Sequence, residues 1–234
     1  YLTSYPGRPP SGPGYSCADH VAGLYACLAL LGALEYRVRT GEGQYIDLSQ
    51  TEAMVSLLSE FILDHTLRGK EPGPVGNSSL QAAPHGVYPC LGEDRWCAIS
   101  VSTDREWEGF KRAIGSPDWS NEARFATLTS RLEHAAVLDG LVRSWTEKLP
   151  AEEVMAILQR EGIPAGVVQN ACDLAHDPQL KARGFFIELE HPLLGKTVAD
   201  AVPIHLSHSR AAYRRAAPVR GQDNDYVYRQ LLNL

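Results

Sequence analysis

The sequence lacks the patterns that mark disulfide-rich, zinc-binding and nucleic-acid-binding proteins. Its 234 residues include five cysteines that form no C-x-x-C pair, which argues against a disulfide framework or a metal site and favours reduced thiols. Lys and Arg number 22 against 28 Asp and Glu, without a long run of one sign. The chain therefore has no basic surface for nucleic acid or an anionic membrane, and a small ligand or a protein partner is expected.

Long apolar runs are also scarce. The longest, at residues 21–34, is shorter than the ~20 residues that cross a bilayer, and no charged-then-apolar signal sequence precedes it. We therefore expect a cytoplasmic protein with no membrane partner. The opening segment, YLTSYPGRPPSGPGYS, is rich in Pro, Gly and Ser and is typical of a connection within a larger protein.

Common motifs of nucleotide binding and nucleophilic catalysis are missing. A phosphate-binding glycine turn follows a strand and precedes a helix, whereas the GEG of residues 41–43 follows a predicted helix. The GPVGNSS segment has no Lys for a Walker A loop, and no G-x-S-x-G elbow marks a serine nucleophile. No His, Asp and Glu residues stand at ligand spacing on a clear helix, so no metal is expected.

The strongest pattern that is present is helical. Between residues 18 and 39, apolar residues recur every three or four positions opposite a face of Ala and Gly, which predicts a helix that packs closely against another backbone. Gly41 is the expected C-cap. A short strand is predicted for QYIDL at residues 44–48. Ser49 and Glu52 then form an S-x-x-E capping box for a second helix that lasts to about residue 67.

Residues 68–86 carry four Gly and three Pro, which predicts one long loop of a kind that is usually functional. Strands VYPC and RWCAISV then flank LGED as a hairpin, and Thr103 and Glu106 cap a helix. More helices and a strand, IPAGVVQ, follow, and the tail contains a short helix, strands and a final helix. This mixture predicts an α/β or α+β fold, with residues 68–170 as a separate smaller domain.

Asp19, at the start of the first helix, allows two interpretations. As a cap it would contribute ~1 kcal/mol. As a nucleophile it would be kept ionised by the positive end of the helix, and its small neighbours Ala18, Ala22 and Gly23 would leave room for a substrate. The two roles are compatible, and the residue pattern alone leaves both open.

The segment ADHVAGLYACLALLGALEYRVRTGEGQYIDLSQTEA resembles the core signature of the family III CoA-transferases. The similarity continues in order through GNSSLQAAPHGVYPCLGEDRWCAISVSTDREWEGF, EGIPAGVVQN, DPQLKARGFF and AAPVRGQDND. It implies an α/β fold in which residues 1–67 are part of a Rossmann-like large domain, residues 68–170 form a smaller α+β domain, and residues 171–234 return to the large domain. An interlocked dimer is expected.

The resemblance also implies a function. In that family the aspartate that heads the helix before R-x-x-TG-x-GQ is the catalytic nucleophile, and its counterpart here is Asp19. By analogy, its carboxylate attacks an acyl-CoA thioester, becomes an aspartyl-CoA thioester, and passes CoA to a small carboxylic acid. Coenzyme A and acyl-CoA are then substrates, and no permanently bound cofactor is expected.

A glycine-rich flap covers the nucleophile in the family, and its counterpart here is the loop around residues 76–81. Asn and Ser replace the glycine run of formyl-CoA transferase in this loop, which predicts a stiffer flap and a different substrate. Six residues in and after the loop are expected to bind substrate: Gly76, Asn77, Ser78, Ser79, His85 and Gly86.

Family members carry a further half ahead of this segment, with most of the CoA contacts and a second carboxylate. We therefore expect that half to come from another polypeptide or an upstream part of the same product, in a homo-oligomer or hetero-oligomer. Two other functions stay open. A 2-methylacyl-CoA racemase or epimerase would use the aligned aspartate as a proton-transfer base, and a non-catalytic subunit would brace an active partner.

Overall fold

The computed structural model describes residues 2–12, 14–71, 73–209 and 211–234. The chain divides into two compact units, Tyr1–Val167 and Val168–Leu234. Helices and short antiparallel sheets occur in both units, which confirms the mixed α/β class. The threefold division of the sequence at residues 67 and 170 stays a prediction.

The first unit begins with a long helix, α1, Cys17–Thr40. The helix ends where Gly41 takes a φ of 81° and donates its N–H to the Arg37 carbonyl at 2.8 Å, since glycine has no Cβ to oppose a positive φ. Arg37 and Arg39 lie in the last turn, where their charge complements the negative end of the helix dipole. The predicted helix and its C-cap are confirmed.

The second predicted helix is two helices, α2, Gln50–Ser56, and α3, Ser59–Arg68. Ser49 caps α2, and its hydroxyl accepts a hydrogen bond from the backbone N–H three residues on at 3.3 Å. After Ser56 the N–H groups of Leu57 and Leu58 donate to carbonyls three residues back, at 3.1 and 2.9 Å, which tightens the turn and ends the α-helical ladder. The prediction of one helix to about residue 67 was therefore wrong.

Residues 44–48, predicted as a strand, form none in the structure. A strand needs a neighbour to satisfy its backbone groups, and the sheets among the described residues are built from later segments. The predicted loop at residues 68–86 is also shorter than expected, because His85 and Gly86 already belong to the first strand. Both predictions are corrected here.

Three antiparallel strands form the sheet of the first unit, in the order β1, His85–Pro89, β2, Trp96–Ser100, and β3, Ala165–Val167. The first two strands are the predicted hairpin around LGED. Their register places His85 directly opposite Ser100. The hairpin therefore fixes which side chains share a face at the end remote from the turn.

The described part of the first unit also contains the α-helices α4, Asp104–Ala113, α5, Leu128–Glu133, α6, Ala135–Thr146, and α7, Ala151–Arg160. Two short 3-10 helices, Asp118–Asn121 and Ala123–Phe125, lie between α4 and α5. Thr103 and Glu106 form the predicted capping box of α4. Side chains from the sheet and the helices meet in one buried core that includes Trp107, Phe110 and Phe125. Aromatic side chains of this size supply much of the apolar area that such a core buries.

A fully buried arginine lies in this core. The Arg131 guanidinium donates to the carbonyls of Ala83 at 2.9 Å and Phe125 at 3.3 Å, and to Asp104 Oδ1 at 3.0 Å. It also lies over the ring of Trp107, with 5.0 Å between its carbon and the ring centroid. Burial lowers the pKa of Arg131, and Asp104 opposes that shift. The arginine therefore stays charged and joins the core to the residues that lead into β1.

The second unit contains helices α8, Ala171–His176, and α9, Pro178–Ala182, and a hairpin of β4, Phe186–His191, with β5, Gly195–Asp200. A short helix with π-type turns, Asp225–Leu231, lies near the end of the chain. The predicted short helix, strands and final helix of the tail are confirmed.

The helix α1 is long and apolar enough to span a membrane by length and composition, which corrects the expectation that no segment qualifies. A helix that packs against other protein meets the same criterion. Leu24, Leu28 and Leu31 on this helix are 73%, 69% and 65% exposed. The helix thus presents an apolar surface that the described residues leave largely uncovered.

We expect Arg131→Met to lower the free energy of unfolding by about 3 kcal/mol, because two buried carbonyls lose their donors at ~1–3 kcal/mol each. Urea unfolding followed by tryptophan fluorescence measures this change, since Trp107 lies against the guanidinium. Arg143→Met is the control, because the exposed Arg143 pairs with Glu147 at the C-terminal end of α6, and such pairs contribute ~0.5 kcal/mol. Equal losses in the two variants would contradict the anchoring role of Arg131.

Candidate functional site

Asp19 lies in the first turn of α1, as the third helical residue after Ser16. The hydrogen bond to its carboxylate comes from another helix, because the side-chain amide of Gln50, the first residue of α2, donates to Asp19 Oδ1. Both residues are exposed. Asp19 is therefore not the cap of α1, and its carboxylate is accessible while held on one side.

The helices α1 and α2 run parallel to each other. A second hydrogen bond joins the two helices, between Tyr25 Oη and Ser56 Oγ at 2.8 Å. In both bonded pairs the partners are 31 positions apart in the chain, and this constant separation shows that the two helices run in the same direction. Ala22 and Ala53, one turn along each helix from the Asp19 pair, are the buried residues of the two helices. Small side chains at such a contact allow the helix axes to approach closely.

The sheet of the first unit and the loop before it form an open cavity of about 630 Å³, a volume typical of small-ligand sites. Residues 76–78 of the loop and the polar side chains of His85, Ser100 and Gln159 line it. The other lining residues are small or apolar: Gly86, Val87, Ala98, Ile99, Pro164, Ala165 and Gly166. The cavity thus offers a few hydrogen-bonding groups in an apolar wall.

A pair of polar side chains marks one side of this cavity. His85 Nδ1 and Ser100 Oγ lie 2.9 Å apart, because the strand register places the two residues opposite each other. The imidazole and the hydroxyl each donate or accept hydrogen bonds according to their partner. The pair can therefore adapt to either a carboxylate or a hydroxyl group of a ligand.

A second polar pair lies close to His85. Tyr88 donates its hydroxyl proton to Asp139 Oδ1 at 2.6 Å. Burial raises the pKa of Asp139, although the hydrogen bond from Tyr88 and the nearby His85 oppose this shift. Burial also raises the pKa of Tyr88, and the Asp139 carboxylate raises it further. Tyr88 therefore keeps its proton at neutral pH and serves as the donor.

The structure brings five of the six predicted loop residues to the lining of the cavity, namely Gly76, Asn77, Ser78, His85 and Gly86. Ser79 is not among the lining residues, and its hydroxyl accepts a hydrogen bond from the Gln81 N–H at 3.0 Å. Asp19 does not line the cavity either. That these residues bind substrate stays a prediction.

Sequence reasoning missed several residues of these two sites. Ser100 could have been found, because a hairpin centred on LGED already implies that Ser100 faces His85. Gln159, Gln50 and Asp139 reach their positions through the packing of separate helices. No local pattern of residues indicates such contacts.

The two buried cysteines, Cys90 and Cys97, offer no nucleophile. Burial raises the pKa of Cys97 to about 12 and also raises that of Cys90, so both thiols stay protonated at neutral pH. Across residues 2–12, 14–71, 73–209 and 211–234, no three His, Cys, Asp or Glu side chains are arranged to hold a metal ion.

The sequence model of CoA-transferase family III matches residues 1–224, and the chain belongs to this family. A "Probable CoA-transferase" of Mycobacterium tuberculosis is 34% identical over 217 residues. A succinyl-CoA–D-citramalate CoA-transferase of Chloroflexus aurantiacus is 32% identical over 233 residues. The crystal structure of a CAIB/BAIF family protein from Brucella suis is similar to this fold with a TM-score of 0.87 at 27% identity.

These three relatives are longer than the chain. The matched region covers 92% of this chain but 27% of the M. tuberculosis protein, and 100% of this chain but 58% of the C. aurantiacus protein. For the Brucella suis structure the two values are 98% and 59%. The resemblance to family III CoA-transferases, which the sequence motifs indicated, is confirmed. The chain spans less than two thirds of the length of each of these relatives.

We expect Asp139→Asn to weaken the pH dependence of stability above pH 3.8. Burial raises the native pKa of Asp139 above its ordinary value of 3.8, so the native state binds this proton more tightly than the unfolded chain does. Its contribution to stability is full below pH 3.8 and is lost as pH rises through the native pKa. Asn keeps an acceptor oxygen for Tyr88 without the charge.

The measurement is urea unfolding from about pH 3 to about pH 7. The control is Asp64→Asn, since Asp64 pairs with Arg68 near the surface of α3. A pH dependence as steep in Asp139→Asn as in the unmodified protein would show that Asp139 is not the group responsible.

Proposed function

We propose that the protein transfers coenzyme A from an acyl-CoA thioester to a small carboxylic acid through a covalent intermediate on Asp19. The observation that carries this proposal is an exposed carboxylate in the first turn of a 24-residue helix. The positive end of the helix stabilises the charge, and the small residues Ala18 and Gly23 leave space for a thioester, whereas Ala22 is buried against α2. Membership of the CoA-transferase family supports the same chemistry.

The reaction proceeds by exchange at carbonyl carbons. A carboxylate oxygen of Asp19 attacks the thioester carbonyl, and CoA leaves as a thiolate, so that a mixed aspartyl anhydride forms. The thiolate then attacks the aspartyl carbonyl, releases the first acid as a carboxylate, and leaves an aspartyl-CoA thioester. The second acid repeats the two steps in reverse. Division of one exchange into such steps is the usual advantage of a covalent nucleophile.

We assign the cavity of the first unit to the acyl group or the acid. Polar side chains and backbone groups along the wall of this cavity would hold the ligand in place. They belong to the loop residues Gly76, Asn77 and Ser78 and to His85 and Gly86 of β1. An anhydride hydrolyses readily, so the site must also exclude water during the exchange. The named activity of the C. aurantiacus relative supports succinyl-CoA as the first donor to test and a small dicarboxylic acid as the acceptor.

We further propose that the protein works as part of an oligomer in the cytoplasm. The exposed apolar side chains of α1 support an assembly in which other protein covers this helix, as a homo-oligomer or a hetero-oligomer. Acyl-CoA and the acid are the small-molecule partners, CoA is a substrate rather than a resident cofactor, and the location is cytoplasmic.

We expect Asp19→Asn to abolish the covalent intermediate and to lower kcat by at least about 1000-fold, because the amide is a poor nucleophile. Intact-mass spectrometry after mixing with succinyl-CoA detects the adduct, which hydroxylamine should remove from the peptide that contains Asp19. The control is Asp64→Asn, which makes the same chemical change at a carboxylate that pairs with Arg68.

Two results would contradict the proposal. Retained transfer in Asp19→Asn would indicate that this chain braces an active partner. Deuterium exchange at the α-carbon of a 2-methylacyl-CoA, without acyl transfer, would indicate a racemase or epimerase.

We expect Ser100→Ala to raise the KM for the acid by roughly fivefold, since a lost hydrogen bond costs ~1 kcal/mol, while the first adduct with succinyl-CoA still forms. Steady-state kinetics with varied acid measure the change, and the matched control is Ser144→Ala, whose hydroxyl bonds within its own helix at 2.9 Å. An unchanged KM would remove Ser100 from the binding site.

A further inference from the structure

Gln50 holds one of the two oxygens of the Asp19 carboxylate. Its side-chain Nε2 donates to Oδ1, so Oδ2 is the oxygen left free to attack a thioester. An amide is a neutral donor, and it therefore contacts the carboxylate without forming the ion pair that would weaken it as a nucleophile. The contact thus distinguishes two oxygens that are equivalent in a free carboxylate.

We propose that Gln50 is a catalytic residue, whose amide stabilises the negative charge that forms on Asp19 Oδ1 when CoA thiolate attacks the aspartyl carbonyl. This inference rests on the proposed function of Asp19. Gln50 was not among the residues expected from the sequence, and it acts on the second chemical step rather than on substrate binding.

The movement of electrons gives Oδ1 this role. When Oδ2 bonds to the acyl carbon and the thiolate departs, Oδ1 becomes the carbonyl oxygen of the aspartyl anhydride. The thiolate then bonds to Cγ, and the carbonyl electron pair moves onto Oδ1. When that electron pair re-forms the double bond between Cγ and Oδ1, the bond from Cγ to Oδ2 breaks. The first acid then leaves as a carboxylate with the electrons of the broken bond. No proton is transferred, and Oδ1 carries the charge at the point where the Gln50 N–H is already placed.

The packing of the two helices keeps Gln50 in position through these steps. Ser49 caps α2 and so fixes Gln50 as its first helical residue. About two turns along the helices from the bond between Gln50 and Asp19, the hydrogen bond between Tyr25 and Ser56 joins them again. The buried Ala22 and Ala53 lie between these two hydrogen bonds. A donor held this way needs little reorganisation when charge develops, which is the condition for effective oxyanion stabilisation.

The test compares Gln50→Leu with the unmodified protein in single-turnover and steady-state assays. We expect kcat to decrease about 100-fold, as for removal of one oxyanion donor, with the KM for acyl-CoA little changed. The first release of thiolate should persist, so the adduct on the Asp19 peptide should shift from the CoA-sized mass to the acyl-sized mass. Gln179→Leu, at an exposed residue of α9, is the matched control.

Gln50→Glu provides a second variant of nearly the same size, and the ionised side chain cannot donate to Oδ1, so we expect a similar loss. A kcat within about threefold of the unmodified value in either folded variant, together with an inactive Asp19→Asn, would overturn the role of Gln50 alone. Retained activity in Asp19→Asn would instead overturn the proposed function and this inference with it.

Discussion

The buried guanidinium of Arg131 is the interaction on which the position of the cavity depends. The loop before β1 is rich in Gly and Pro and has little regular structure, so its end must be fixed from outside. Arg131 holds the Ala83 carbonyl, while the Ala83 N–H donates to the Val101 carbonyl at 2.9 Å. Residues next to His85 are therefore bonded to α5 on one side and to the residue that follows β2 on the other. The cost of desolvating the charge is offset by Asp104 and the ring of Trp107.

The proposed nucleophile, Asp19, is positioned in a different way. Asp19 and Gln50 belong to two parallel helices whose close approach depends on alanines, and hydrogen bonds lie on both sides of that apolar contact. The cavity, by contrast, depends on strand register and on the hydrogen bonds of one buried arginine, Arg131. The two parts of the proposed site are therefore sensitive to different substitutions. The position of Asp19 depends on the size of the side chains between α1 and α2, and the cavity depends on the polar groups around β1.

Sequence reasoning recovered the elements whose signals are local. The cap at Gly41, the capping box of α4 and the hairpin around LGED each depend on neighbouring residues, and all are present. The strand predicted at residues 44–48 failed because strand formation needs a partner that local pattern does not reveal. The contact between Gln50 and Asp19 was not predictable for a similar reason, since it depends on how two helices pack.

The hairpin register also limits how related chains can differ. Side chains alternate between the two faces of a strand, so a one-residue shift in the pairing of β2 with β1 would turn every side chain of one strand to the opposite face. Ser100 would no longer face His85, and the buried Cys97 would be turned out of the core. The turn that sets this register restricts substitution as well, since Gly92 has a φ of 112° and a Cβ at this position would lie 3.1 Å from the Arg95 side chain.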